Sequence, residues 1–137
     1  MLAAIRKVGA KQVLDQSAAE FVGWLPRISS GEMRWLDVAR ALRPAADAET
    51  AESLDHAVAR ALLKNPAPVL RMLTKEFKVE AVCASPYVAA PTERDLAHLQ
   101  EAQRAVEKVT VTTYKTERAA CLASLKHARQ RVLERVK

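Results

Sequence analysis

The chain has 137 residues, half of them hydrophobic, 28% charged and 4% aromatic, with a formal net charge of +6. That length reads as one domain spanning residues 1–137, and that balance excludes wholesale disorder. Three glycines and few aromatics against 26 alanines disfavour an all-β sandwich or barrel and favour helices.

Residues 3–15 place Ile5, Val8, Val13 and Leu14 in a weak amphipathic pattern that Gly9 interrupts. Ser17 followed by Glu20 fits a capping box, opening a helix that buries Phe21, Trp24 and Leu25 and ends near Pro26. Ser29, Ser30 and Gly31 read as a turn. From Glu32 to Leu42, the residues Trp35, Leu36, Val38, Ala39 and Leu42 share one stripe. Pro44 then stops the helix and biases Arg43 to extended geometry.

Asp47 is the expected cap of the strongest helix, about 48–64, where Ala51, Leu54, Val58, Ala61 and Leu62 recur at three- and four-residue steps. Asn65-Pro66 predicts a junction, with asparagine as cap and proline in the first turn of the next helix. Val69, Leu70, Met72 and Leu73 then face inward, and residues 79–84 form one helical turn. Ser85 to Pro91 reads as an extended loop carrying Tyr87. Thr92 with Asp95 predicts a capped helix over 93–108, with Leu96, Leu99, Ala102 and Val106 inward. Val109 to Tyr114 is β-branched but has no partner strand, so it reads as a turn. A last helix, about 113–135, carries Tyr114, Cys121, Leu122, Leu125, Val132 and Val136 near one face. The expected fold is an all-α irregular orthogonal bundle of about six or seven short helices. The pieces at 32–42, 48–64 and 66–76 could also stack in the manner of an α-solenoid, without any repeated sequence.

The charge is not spread evenly. Residues 1–11 carry +3 and residues 126–137 carry +4, so the 114 residues between them carry −1. A near-neutral body with basic ends is not the footprint of a surface that tracks a phosphate backbone. The cations of the last helix, Lys126, Arg129, Arg131, Arg135 and Lys137, have no interleaved aromatic and read as a solvated helix end that complements the dipole.

Chemistry is sparse. Glu52 with His56, and Asp95 with His98 and Glu101, are spaced to share helix faces, yet neither group has a second histidine at ligand spacing. They read as exposed helix pairs, and HExxH is absent. Ser29, Ser30, Ser53, Ser85 and Ser124 lack a GxSxG elbow. A Cys121–His127 dyad fails because six residues turn a helix by about 600° and raise it by about 9 Å. Glycines at 9, 23 and 31 cannot form a phosphate loop. No catalytic residue, metal or cofactor is expected. No run of 18 apolar residues exists, so no transmembrane helix is expected, and the cations among the first eleven residues exclude an intact signal peptide. The chain is then either cytoplasmic or the mature part of an exported protein.

Cys83 and Cys121 are 38 residues apart with no CxxC and no histidine within four residues, which excludes a metal or dithiol motif. They are either one disulfide, worth roughly 3–4 kcal/mol on the chain-entropy relation, or two small buried apolar residues. Trp24 and Trp35 are large anchors that serve either the core or a partner-binding surface. Tyr87, in a proline-bracketed loop, is the third partner-binding candidate.

Three stretches together carry a resemblance. They are Trp35-Leu36-Asp37-Val38-Ala39 through Leu42-Arg43-Pro44 to Asp47, then Asn65-Pro66 through Val69-Leu70, then Val82-Cys83 with Arg118 and Cys121-Leu122. The pattern resembles a group of small uncharacterised helical proteins of Gram-negative bacteria that are made with an export signal, and it covers roughly residues 9–125. The resemblance implies a mature periplasmic domain with a Cys83–Cys121 disulfide, and it implies no activity. Where that group has a leader, this chain runs from Met1 directly into helix. The expected function is a non-catalytic protein-interaction domain with another protein as partner, in the manner of a periplasmic inhibitor or immunity-type binder. Two alternatives are a cytosolic helical protein that binds nucleic acid or an anionic surface through its basic ends, and an enzyme with a site at Asp95, His98 and Glu101.

Overall fold

A computed structural model describes residues 1–73, 76–87, 92–110 and 112–136. Within them the chain is all-α, with nine α-helices, two 3-10 turns and no strand. In order these are α1 (Leu2–Val8), α2 (Ala10–Gln16), α3 (Ala18–Ser29), α4 (Met33–Leu42), α5 (Ala48–Lys64), α6 (Pro66–Arg71), α7 (Val79–Val82), α8 (Glu93–Glu107) and α9 (Lys115–Val136). The 3-10 turns are Arg43–Ala45 and Thr112–Tyr114. The stretch Val88–Pro91, the later part of the expected Tyr87 loop, lies outside the described residues, as do Thr74, Lys75, Val111 and the side chain of Val136.

Helix α5 is the spine. Its start is fixed locally, because Asp47 Oδ1 accepts the Thr50 amide at 2.8 Å, with Glu49 in the first turn and Lys64 in the last. Leu54, Ala57, Val58, Ala61 and Leu62 are fully buried on it, and the alanines let neighbouring helices approach closely. Helices α3 and α4 pack on α5 from the N-terminal side of the sequence, and α6, α7 and α8 from the C-terminal side. Helices α8 and α9 pair along their length. One hydrophobic core runs from Ile5 to Ala128. Deep inside it lie Leu36, Leu42, Leu54, Leu70, Phe77 and Leu99.

The N-terminal pattern breaks at Gly9, where the sequence places the interruption, and forms two helices because Gly9 stands at φ 92°, a left-handed backbone. Several local expectations need correction. Ser17 makes no side-chain cap, so the Ser17–Glu20 box does not form. Helix α3 does not end near Pro26. It continues to Ser29, with the proline inside it. Arg43 is helical at φ −55°, ψ −44°, not extended, and the chain turns through a 3-10 turn containing Pro44. Asn65 does not cap α6 with its side chain. Its Nδ2 instead donates to the Gly31 carbonyl at 2.9 Å, 34 residues away in sequence. Gly31 meets this contact at φ 83°, and a Cβ there would lie 3.0 Å from Asn65 Cβ. The turn after α3 is thereby tied to the end of α5.

Arg118 joins the last two helices. Its guanidinium donates to the carbonyls of Val106 at 3.2 Å and Glu107 at 2.9 Å, placing a cation at the C-terminal end of α8, where the Val106 carbonyl also accepts the Val109 amide. Half-buried Arg43 and Asp55 pair through two contacts, at 3.0 and 3.4 Å, across the 3-10 turn and α5.

Candidate functional site

The short segment after α7 is fastened at successive residues. Cys83 closes α7, and its Sγ lies at bonding distance from that of Cys121 on α9, 2.03 Å away, with both residues fully buried. One turn beyond Cys121, Ser124 Oγ donates to the Cys83 carbonyl at 2.9 Å. Ser85 Oγ donates to Asp95 Oδ1 at the start of α8. The Tyr87 amide donates to Ser85 Oγ at 3.3 Å. Asp95 Oδ2 accepts the Thr92 amide at 2.9 Å and the Thr92 hydroxyl at 3.0 Å. The predicted capping box is therefore present, and its acid also clamps the segment. Burial pushes the Asp95 carboxyl up, but the hydrogen bonds from Ser85 and Thr92 outweigh it and hold the group below the usual carboxylate range.

His98 lies one turn further along α8. It is not the exposed residue expected from its spacing, since only 6% of its surface is accessible and its Nε2 has no hydrogen-bond partner. The Tyr87 ring meets it edge to face, with centroids 6.0 Å apart and planes at 82°. Burial, then the charge of Arg60, lowers the His98 pKa to about 4 against the opposing pull of Asp95, so the ring is neutral at pH 7. Among the described residues no hydrogen bond joins Asp95 to His98, and Glu101 is exposed. The triplet thus separates into a cap, a packed ring and a solvated carboxylate. Glu52 and His56 stand 3.9 Å apart near the surface. No group of three or more metal-capable side chains occurs among the described residues.

A cavity of about 250 Å³ opens beside this segment. Ser85, Tyr87 and Asp95 form one wall, Arg131 and Arg135 of α9 line another, and Leu99 and Val132 supply apolar surface. His98 and Glu101 are not among the residues that line it.

Trp24 and Trp35 sit inside the core. They are 9% and 8% exposed, and their rings pack at 6.4 Å with Phe21 edge-on to Trp24 at 6.0 Å. They offer little surface to a partner. The exposed apolar face belongs instead to the opposite side of α3. Val22 is 68% exposed, Phe21 and Leu25 are half-buried, and Pro26 is exposed.

Two grooves adjoin this face. One, of about 620 Å³, lies between α2, α3 and the start of α5 and is lined by Leu14, Phe21, Val22 and Leu25. Asp47 and Glu49 are on its rim, together with the Lys11–Asp15 ion pair at 2.8 Å. The other, of about 550 Å³, shares Val22 and Leu25 and adds Pro26, Ser29, Ser30 and the cation Arg60. Because Pro26 has no N–H, the Val22 carbonyl lacks its helical donor on the same face. The spacing 22, 25, 26, 29 was present in the sequence, but ending the helix at Pro26 hides it.

Compared with protein-family models, curated proteins and solved structures, the chain matches none.

Proposed function

We propose that this chain is a non-catalytic protein-binding domain of an oxidising compartment, a periplasmic inhibitor or immunity-type binder that docks its partner on the outer face of α3. The observation that supports this reading is the apolar strip of Val22 and Leu25, shared by two adjoining grooves and extended by Pro26 in the second, on a helix whose inner face is already committed to the core. An exposed apolar surface flanked by polar rims is what protein contacts use. The occupant is a partner segment that presents apolar residues flanked by cations. Asp47 and Glu49 add two negative charges to the first groove beyond the paired Lys11 and Asp15, so the partner's cations lie there and its apolar residues toward the second groove, which Arg60 borders. The Val22 carbonyl is an open acceptor. The Cys83–Cys121 pair supports the oxidising compartment.

The test places a photo-crosslinking residue at Val22 in the native host, identifies the adduct by mass spectrometry, and measures binding of the purified pair. Val22→Asp with Leu25→Asp should abolish that binding while circular dichroism stays helical. Asp47→Asn with Glu49→Gln, which removes both charges and keeps a capping side chain at position 47, should weaken it severalfold. A partner bound equally well by both double variants, or free thiols at Cys83 and Cys121 in protein recovered from the host compartment, contradicts the proposal.

A further inference from the structure

Two guanidinium groups flank the Tyr87 ring, and two others line the cavity that the ring walls. The Arg94 Cζ lies 4.0 Å and the Arg60 Cζ 5.5 Å from the centre of its ring, while Arg131 and Arg135 line the cavity of about 250 Å³ that the same ring walls. Arg131 and Arg135 are four residues apart on α9 and so share a helix face. Among the described residues none of the four makes an ion pair with a carboxylate. The one acid in the cavity wall, Asp95, already accepts from Ser85 through one oxygen and from Thr92 through the other. Arg131 and Arg135 thus face the cavity as like charges without an ion-pair partner, and a ligand anion relieves their repulsion.

We infer that this cavity is a binding site for a monocarboxylate with a small apolar body. The planar fork of arginine matches a carboxylate through two parallel hydrogen bonds. The Asp95 carboxylate in the wall disfavours a dianion such as phosphate, and Leu99 and Val132 receive a hydrocarbon portion. The volume equals that of roughly eight waters, enough for a short or single-ring acid, or for the end of a glutamate side chain. The same chemistry can therefore arrive as a free acid or as an acidic side chain of a bound protein. Arg60, which stacks on Tyr87, also borders the second α3 groove, but the cavity itself shares no lining residue with that face and does not depend on it.

The test is a heteronuclear NMR titration of the full, oxidised chain with benzoate. Saturating shifts are expected at Ser85, Tyr87, Leu99 and Val132, with no saturation by benzyl alcohol over the same range. Arg131→Gln with Arg135→Gln should weaken benzoate by at least about tenfold, since two charge-assisted hydrogen bonds are lost. Arg6→Gln with Lys7→Gln removes equal charge from α1 and should leave it unchanged. A second arm uses the capped tripeptide acetyl-Ala-Glu-Leu-amide beside its glutamine counterpart. Benzoate binding alone assigns a free acid, and saturation by the glutamyl peptide assigns a protein side chain. Equal shifts with benzyl alcohol, or benzoate shifts untouched by the Arg131/Arg135 pair, overturn the inference. The alcohol comparison needs no variant, so it decides even if a substitution unfolds the chain.

Discussion

Removing the bond between Cys83 and Cys121 should lower the melting temperature by about 14 °C. The bridge closes a loop of 38 residues, and constraining a loop of that length destabilises the unfolded chain by about 4 kcal/mol. At about 2.1 cal/mol/K per residue, unfolding 137 residues releases roughly 0.29 kcal/mol/K, which converts the loss into that temperature shift. Both cysteines are fully buried, so a reductant reaches the sulfurs only when the chain opens. The assay therefore reduces the protein in denaturant, refolds it with the thiols kept reduced, and follows thermal unfolding by circular dichroism beside the oxidised form. Cys83→Ala with Cys121→Ala should melt a few degrees lower still, because it also removes two buried sulfurs from the core. A reduced protein that melts within a few degrees of the oxidised one refutes the reasoning, since the loop constraint would then contribute little.

Three further substitutions address other levels of the structure. Gly31→Ala should cost about 2–3 kcal/mol in urea unfolding, because alanine at φ 83° is strained and its Cβ would meet Asn65 Cβ at 3.0 Å. Gly23→Ala, with nothing within 4 Å of the new Cβ and a helical setting, should instead stabilise by about 0.5–1 kcal/mol, and equal midpoints for the two variants would contradict both assignments. His98 has its folded pKa lowered to about 4 from 6.5, so between those values the unfolded chain takes up a proton that the native state refuses. Its contribution is complete above pH 6.5 and falls by roughly 3 kcal/mol as pH drops to 4. His98→Leu should flatten chemical-denaturation stability across that window, and a decline as steep as wild type would assign the effect to other groups.

The helices that sequence periodicity located well are those whose ends are set by neighbours in the chain. Asp47 caps Thr50 three residues on, and Thr92 and Asp95 satisfy each other across one turn, so both starts were legible. Asn65 misleads because its amide has a better partner in Gly31, brought near only by the packing of α3 beside α5. Pro26 misleads for a related reason. A proline inside a helix costs a hydrogen bond, yet burial of Trp24 and Ile28 on either side of it carries α3 past the break. The candidate surfaces were half legible. Tyr87 was singled out for its loop, but the cations around it come from α5, α8 and α9, and no local pattern joins Arg60, Arg94 and Arg131. His98 reads as exposed in sequence because spacing on one helix says nothing of the ring that Tyr87 lays against it.

The sulfur bond also changes what a protease can do to this molecule. Every peptide bond between Cys83 and Cys121 lies within a covalent ring that contains all of α8 and the first turns of α9. One cut anywhere in that ring leaves both fragments attached through the cysteines, and the core residues that α8 contributes, Leu99, Ala102 and Val106, remain tethered at their partners. A nicked molecule keeps its mass under oxidising conditions and separates into two pieces only after reduction. Damage in just over a quarter of the chain's length is thereby converted from loss of a fragment into a scar that the fold can carry.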